Sequence, residues 1–410
     1  MKPLSWRLLT LIALVVLVPV LILGDAEAAR RSGLAGNLLI TDADDMFIFP
    51  QHNVTYVNRL IVDMDSDASS GNASLVFGNE DSWGLNFSTH RSDFLNGVVA
   101  GYWGGNDRGL FGSQFSPDLS GPSTQSPEDL QWFDVGFGWA MDENKAGVRL
   151  GIGLDADKTE VSSGPEAKDA ANVFSIQGGL TLNETTDITA EVAFGSSDST
   201  DTTPDPDRSL EGSVTQFAAG VRGFYEMGGF EWGFLGSLAF SSGDEDVVVG
   251  TATEKDEQSI TQFMVGWGPV WNDQSEDWQA AGYVTLENQS QSTEPTGPDN
   301  NVDEAFFTFP GFRFAAEHRL KSWLWVRGGA RSDYFFHSVE SEFAGGTVEV
   351  TDRVYNFLWT AGVSADWAGF RFDGAINEPW VHAGPSFIGQ NEDLFAFASA
   401  TYNWGGTGAD

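Results

Sequence analysis

Between Phe230 and Phe240 the chain alternates on a strict two-residue period. Phe230, Trp232, Phe234, Gly236, Leu238 and Phe240 take one side of an extended chain, and Glu231, Gly233, Leu235, Ser237, Ala239 and Ser241 take the other. The same rhythm places Val148, Leu150, Ile152 and Leu154 opposite Arg149, Gly151, Gly153 and Asp155. It also places Phe133, Val135, Phe137, Trp139 and Met141 opposite Asp134, Gly136, Gly138 and Ala140. Tyr355, Phe357, Trp359, Ala361, Val363, Ala365 and Trp367 form one face of a further run. Period two sustained over about ten residues predicts strands long enough to cross a membrane when tilted. One face is bulky and apolar, the other small or polar, so the bulky side is expected to meet lipid.

The connections alternate as well. Short polar turns are expected near 79–82, 142–145, 183–186, 226–229, 272–277, 318–322 and 368–369, with long acidic Pro/Gly/Ser/Thr-rich stretches between them. Seven turns make fourteen strands, and a first strand near Val54–Met64 and a last near Leu394–Trp404 bring the count to sixteen. Fourteen is the alternative, because "NASLVFGN" and "WGLNFSTH" carry the weakest pattern. The longest connection, Arg91 to Asp129, either holds short structure of its own or folds inward. Short turns at one end and long loops at the other predict an all-β, transmembrane, antiparallel up-and-down β-barrel.

Composition narrows the setting. Residues 1–29 combine Lys2 and Arg7 with an apolar run from Leu8 to Leu23 and the small-residue pattern Ala26-Glu27-Ala28, as in a secretory signal peptide. An uncleaved anchor is the competing reading. Cysteine is absent, which removes disulfides and thiolate metal sites. A net charge of −38 argues against nucleic acid as a partner. A soluble sheet protein would not need Trp83, Trp139, Trp267, Trp271, Trp278, Trp323, Trp367 and Trp404 near the short-turn ends, where an interfacial girdle would place them.

The final stretch "LFAFASATYNW" resembles the C-terminal strand by which bacterial outer-membrane barrels are recognised for insertion, although residues 405–410 add a tail. The resemblance spans nearly the whole chain and is to porin-like barrels of the outer membrane. It implies contact with outer-membrane lipid, lipopolysaccharide and the barrel-assembly machinery, and leaves a homotrimer open. Residues 30–53, "RRSGLAGNLLITDADDMFIFPQHN", carry apolar groups that need shelter. They form a periplasmic segment capping the barrel of 54–404 or plugging it. The plug would resemble FadL-like transporters of hydrophobic substrates, without their N-terminal asparagine-proline-alanine signature.

Candidate functional residues sit on the small, polar parity: Arg149, Arg222, Arg313, Arg327, Arg331 and Arg371, with Asp134, Glu191, Glu231, Glu287, Glu317, Asp333 and Asp373. An arginine facing lipid at the midplane costs about 2–4 kcal/mol, so these are expected to line the lumen. Val148, Leu150, Phe224, Leu324 and Val326 are expected to face lipid beside them. Opposed charges there form either a selective constriction or a salt-bridge network in a filled lumen. The five histidines fall in no catalytic motif, and Asp63, Asp65 and Asp67 do not match a calcium loop, with Ala68 and Ser74 at its sixth and twelfth positions. The expectation is therefore no enzyme, no metal and no cofactor. The function expected is passive diffusion of small hydrophilic solutes with mild cation preference. A plugged transporter of hydrophobic molecules, or a non-conducting structural or adhesive barrel, is the alternative.

Overall fold

A computed structural model describes residues 29–65, 71–80, 82–89, 131–160, 166–201, 208–249, 252–272, 277–295, 301–343, 346–377 and 397–404. Among these, sixteen strands close into one antiparallel barrel. They are β1 (Arg59–Asp65), β2 (Gly71–Asn79), β3 (Trp83–Thr89), β4 (Gln131–Met141), β5 (Asn144–Glu160), β6 (Glu166–Leu182), β7 (Thr186–Asp201) and β8 (Arg208–Met227). The second half comprises β9 (Phe230–Val249), β10 (Ala252–Asn272), β11 (Trp278–Pro295), β12 (Val302–Lys321), β13 (Leu324–Phe343), β14 (Gly346–Trp367), β15 (Phe370–Asn377) and β16 (Phe397–Asn403). Every strand pairs with its neighbours in sequence, and β1 closes on β16 with Leu60 opposite Tyr402. Among the described residues the ring of paired strands is closed, as a sheet in hydrocarbon requires.

The short turns set the register. Gly228 and Gly229, with φ of 65° and 82°, join β8 to β9, and Ala368 and Gly369 (53° and 87°) join β14 to β15. Left-handed conformations at both central residues match the twist of a tight hairpin. β2 and β3 pair along their length, so sixteen strands stand and fourteen do not. The first strand starts at Arg59 rather than Val54, because Pro50–Val54 forms a 3-10 turn. Residues 1–28 of the expected signal segment, the connection from Arg91 to Asp129 and the tail lie outside the described residues, and Ala29 begins helix α1 (Ala29–Gly33).

The two faces separate as their parity demands. Phe133, Leu150, Ile176, Phe194, Phe240, Val265, Phe312 and Phe314 stand exposed on the outer wall. Trp83, Trp267, Trp278, Trp323 and Trp367 are exposed near the short-turn ends, and Trp232 stacks on Trp267 at 4.6 Å. This is an apolar belt with an aromatic rim. β9 has 20 residues, about twice the crossing length, so its long-loop half extends beyond the membrane.

The inside is filled at the short-turn end. Helix α1 (Ala29–Gly33), helix α2 (Asp45–Ile48) and the 3-10 turn Pro50–Val54 lie within the barrel. Leu34, Leu38, Leu39, Ile40, Ile48 and Phe49 are buried in one apolar cluster with inward residues of β6 to β12, such as Val173, Ala218, Leu235 and Met264. Met46 and Phe47 pack with Ile61 and Val76 on the opposite side. Inward glycines make the room. A Cβ at Gly84 would lie 1.9 Å from the Asn53 carbonyl oxygen, one at Gly147 2.3 Å from the Gln51 nitrogen, and one at Gly329 2.5 Å from the Leu34 carbonyl carbon. The small parity read from the sequence is thus the seat of a second layer of backbone.

Candidate functional site

The plug is held by charge at two places. Around α2, aspartates fold the chain on itself: Asp42 Oδ1 accepts the Asp44 N–H, and Asp45 Oδ2 accepts the Asp42 N–H, both at 3.2 Å. Such side-chain-to-backbone bonds are what make Asp a turn former. Asp45, fully buried, then lies between Arg31 at 2.6 Å and Arg222 of β8 at 2.9 Å. Arg222 also grips Asp187 of β7 at 2.7 Å, donates to the Leu38 carbonyl at 3.1 Å, and lies 4.7 Å over the Phe49 ring. Asp187 in turn meets His52 Nε2 at 2.9 Å and accepts from Thr181 Oγ1 at 2.7 Å. Next along the wall, Arg149 pairs with Asp134 at 2.7 Å and donates to the Phe47 carbonyl at 2.8 Å, while Gln177 donates to the Ile48 carbonyl at 2.7 Å.

The second anchor lies across the lumen. Arg30 of α1 pairs with Glu317 of β12 at 2.6 Å and with Asp42 at 3.0 Å. Arg327 of β13 bridges Glu317 at 3.5 Å and Asp373 of β15 at 2.8 Å, and Arg371 reaches Asp373 at 3.4 Å. Thr360 of β14 donates to the Gly33 carbonyl at 3.0 Å. Removing one member of such a buried pair costs about 3–5 kcal/mol, because the other charge is stranded. Within the plug the balance is lopsided toward ionisation. Burial alone would raise the Asp42 pKa, but Arg30 and Arg31 outweigh it and hold the carboxyl well below the usual range. Burial opposes the Arg30 charge too, yet Asp42 and Glu317 raise its pKa well above the ordinary value. Burial, seconded by Asp45 and Asp42, pushes the Tyr56 phenol upward.

Not all the candidates meet the plug. Arg313 pairs with Asp333 and, at 3.2 Å, with Glu287, forming a cluster within the wall. Arg331 stands half-buried beside Arg313 in the β12–β13 register, and Glu231 is half-buried at the rim, accepting from Asn272 Nδ2 at 2.9 Å. Glu191 of β7 is buried with neither oxygen hydrogen-bonded. Phe224 is corrected: it shares the parity of Arg222, not of Tyr225, and packs half-buried against the inner apolar cluster. Val148 and Leu150 are exposed outside.

The wall contributed most of the expected residues, whereas the plug's own set (Arg30, Arg31, Asp42, Asp45 and His52) and its wall partners Asp187 and Gln177 were missed. Asp187 was legible: it has the parity of Glu191 and Thr189, but sits close enough to the turn to read as a strand end. The plug residues have no period to reveal them.

A closed antiparallel barrel with a lipid-facing belt and a charged interior defines the class: the chain is a transmembrane β-barrel of the outer-membrane type. No protein-family model matches the sequence, and no curated protein sequence matches it. Among solved structures it is similar to the Pseudomonas putida toluene transporter TodX, at 7% identity over 93% of this chain and 96% of that one, with a TM-score of 0.35. It is similar also to the ferric-catecholate import receptor Fiu of E. coli K12, at 4% identity over 84% and 81%, TM-score 0.35. The translocator domain of autotransporter NalP from Neisseria meningitidis matches at 13% identity over 64% and 89%, TM-score 0.27. Scores this low transfer neither ligand nor mechanism.

Proposed function

We propose that this barrel is a gated transporter rather than a permanently open pore: a small solute enters from the long-loop side and passes only when the N-terminal plug yields. The observation that supports this is the double anchoring of residues 30–54 inside the lumen, by Arg222 and Arg149 on one wall and by Glu317 and Thr360 on the other. A passive porin needs an unobstructed path, and buried ion pairs tying a segment into that path work against one. Simple structural filling is less economical: an apolar core could fill the barrel without the desolvation cost of so many ions. Charged locks can be exchanged for other charged partners, which suits a gate.

Planar-bilayer recording of the full chain tests the reading. The wild type is expected to be silent or to flicker, and Asp45→Ala, which takes the 2.6 Å partner from Arg31 and one partner from Arg222, is expected to give long-lived conducting steps. Steady ohmic steps from the wild type would reject the gate. Silence from a folded Asp45→Ala barrel would reject the plug as its moving part.

A further inference from the structure

Above the plug, three adjacent strands turn an unusual set of groups inward. Register places Gln177 of β6 opposite Glu191 of β7, and Glu191 opposite Ala218 of β8. One row further from the short turns, Ser175 faces Ala193, and Ala193 faces Gln216. Directly paired and diagonal neighbours on a sheet lie within side-chain reach of one another. Glu191 thus has Gln177 beside it and Ser175 and Gln216 on its diagonals. Ala193 and Ala218, between these longer side chains, are the small residues of the two rows.

All four polar side chains are more than nine-tenths buried: Glu191 is 4% exposed, Gln216 3%, Gln177 and Ser175 0%. Both Glu191 oxygens, the Gln177 and Gln216 amide oxygens and the Ser175 hydroxyl have no hydrogen-bond partner. Gln177 spends its donor group on Ile48 and Thr189, so its oxygen is what remains. An ionised carboxylate only accepts, and amide oxygens only accept. The site is therefore rich in acceptors, with the Ser175 hydroxyl as an unpartnered donor beside them. The charged groups acting on Glu191 are Arg149 and Asp134, which pair with each other at 2.7 Å. With Glu191 ionised, two carboxylates against one guanidinium would leave one negative charge over, a charge that burial disfavours unless a cation lies beside it. Around this pole the wall is apolar: Val173 and Val214 form the next row across Gly195, and Ile48 and Phe49 of the plug belong to the same buried cluster.

We propose that Glu191, Gln177, Gln216 and Ser175 form an occluded binding site for a small organic monocation, its ammonium group on Glu191 and its apolar body along Val173 and Val214. A buried acceptor left without a donor is costly, and a multi-donor cation satisfies several at once. One surplus negative charge matches one positive charge, and an apolar wall favours an alkylammonium over a hydrated metal ion. The acidic chain, at −38, draws cations toward the mouth. The proposal rests on the gated-transporter reading, because an occluded site fills only if its plug floor moves.

The full chain in detergent micelles, equilibrated overnight, would be titrated calorimetrically with butylammonium chloride, and with butanol, butyrate, sodium chloride and calcium chloride as counterparts. Butylammonium is expected to bind with one ion per barrel, and Glu191→Gln to weaken it at least tenfold while the barrel keeps its heat-modifiable gel shift. Ala218→Leu, which keeps every charge but adds bulk beside Glu191, should abolish binding as well. Equal affinity for butanol, displacement by calcium, binding unchanged by Glu191→Gln, or no binding by a folded wild type would each overturn the site. Loading barrel-containing vesicles separates the two readings: butylammonium that binds but never crosses keeps the site and rejects the transporter.

Discussion

Replacing Gly147 by alanine adds one methyl group to the lumen side of β5. Its carbon would sit 2.3 Å from the Gln51 nitrogen, 2.4 Å from the Pro50 carbonyl carbon and 2.5 Å from the Pro50 oxygen. All three are plug backbone, so no side chain can swing aside. The plug must retreat by about 1 Å to regain ordinary contact, and overpacking of this kind costs about 1–3 kcal/mol. A cost borne only by the docked plug shifts docking toward release by roughly 5–150-fold. The strand itself tolerates the change, since Gly147 has no positive φ. Gly178 on β6 is the matched control, exposed on the outer face with nothing within 4 Å of its Cβ position. In planar bilayers, Gly147→Ala should raise the open-channel fraction by at least fivefold over wild type, and Gly178→Ala should leave it unchanged. No effect of either variant would mean that the plug at Gln51 does not obstruct the conducting path. An effect of Gly178→Ala as large as that of Gly147→Ala would mean that strand propensity, not plug contact, is being measured.

Leu150→Arg should destabilise the barrel in lipid by about 2–4 kcal/mol, read from reversible unfolding, since Leu150 faces out next to the inward Arg149; a neutral result would reverse the face assignment. Glu191→Leu should raise the stability of the ligand-free barrel by about 1–3 kcal/mol, because it removes buried acceptors that nothing satisfies; a loss of that size would show that Glu191 has a structural partner. Plug docking should resist acid. The Asp42 carboxyl is held below its ordinary value of 3.8, so its contribution is complete above that pH and is lost only as pH falls through the depressed value. Hydrogen exchange of the plug amides, corrected for the intrinsic rate, should stay constant from about pH 7 to about pH 4, and loosening already at pH 6 would contradict the assignment.

The barrel was legible because lipid and lumen impose opposite demands on alternate residues. Leu150 and Arg149 cannot exchange places, and that constraint repeats along β4 to β14. The turns were legible for a related reason: "EMGG" and "AG" supply the conformations a tight hairpin needs. What parity could not show is what stands across the lumen. Gly84, Gly138, Gly147 and Gly329 read as space, and the space is occupied by backbone, because glycine permits an open channel and a close contact equally. The plug itself has no repeating environment. Asp45 meets Arg31 from within the plug and Arg222 from the wall, and no period in the sequence connects 31, 45 and 222. Phe224 was misassigned although the alternation from Arg222 decides it: a phenylalanine in a barrel strand invites a lipid-facing reading, and here the plug gives it an apolar neighbour inside.

The span of the plug's contacts in sequence bears on how the molecule is assembled. Pro50–Val54 seats against β3 to β6, among the earliest strands of the chain, whereas Gly33 bonds to Thr360 across 327 residues and Arg30 to Glu317 across 287. The near contacts can form while the wall is still an open sheet. The far ones need the last hairpins, and closing loops of that length brings no reward until both ends meet. The α1 end of the plug, Ala29–Gly33, is therefore seated last. A wall that paired in the wrong register would bring Glu317 and Thr360 to the wrong height, and α1 would find no seat. Docking of that helix therefore depends on the register of the closed wall, although its segment is itself no part of that wall.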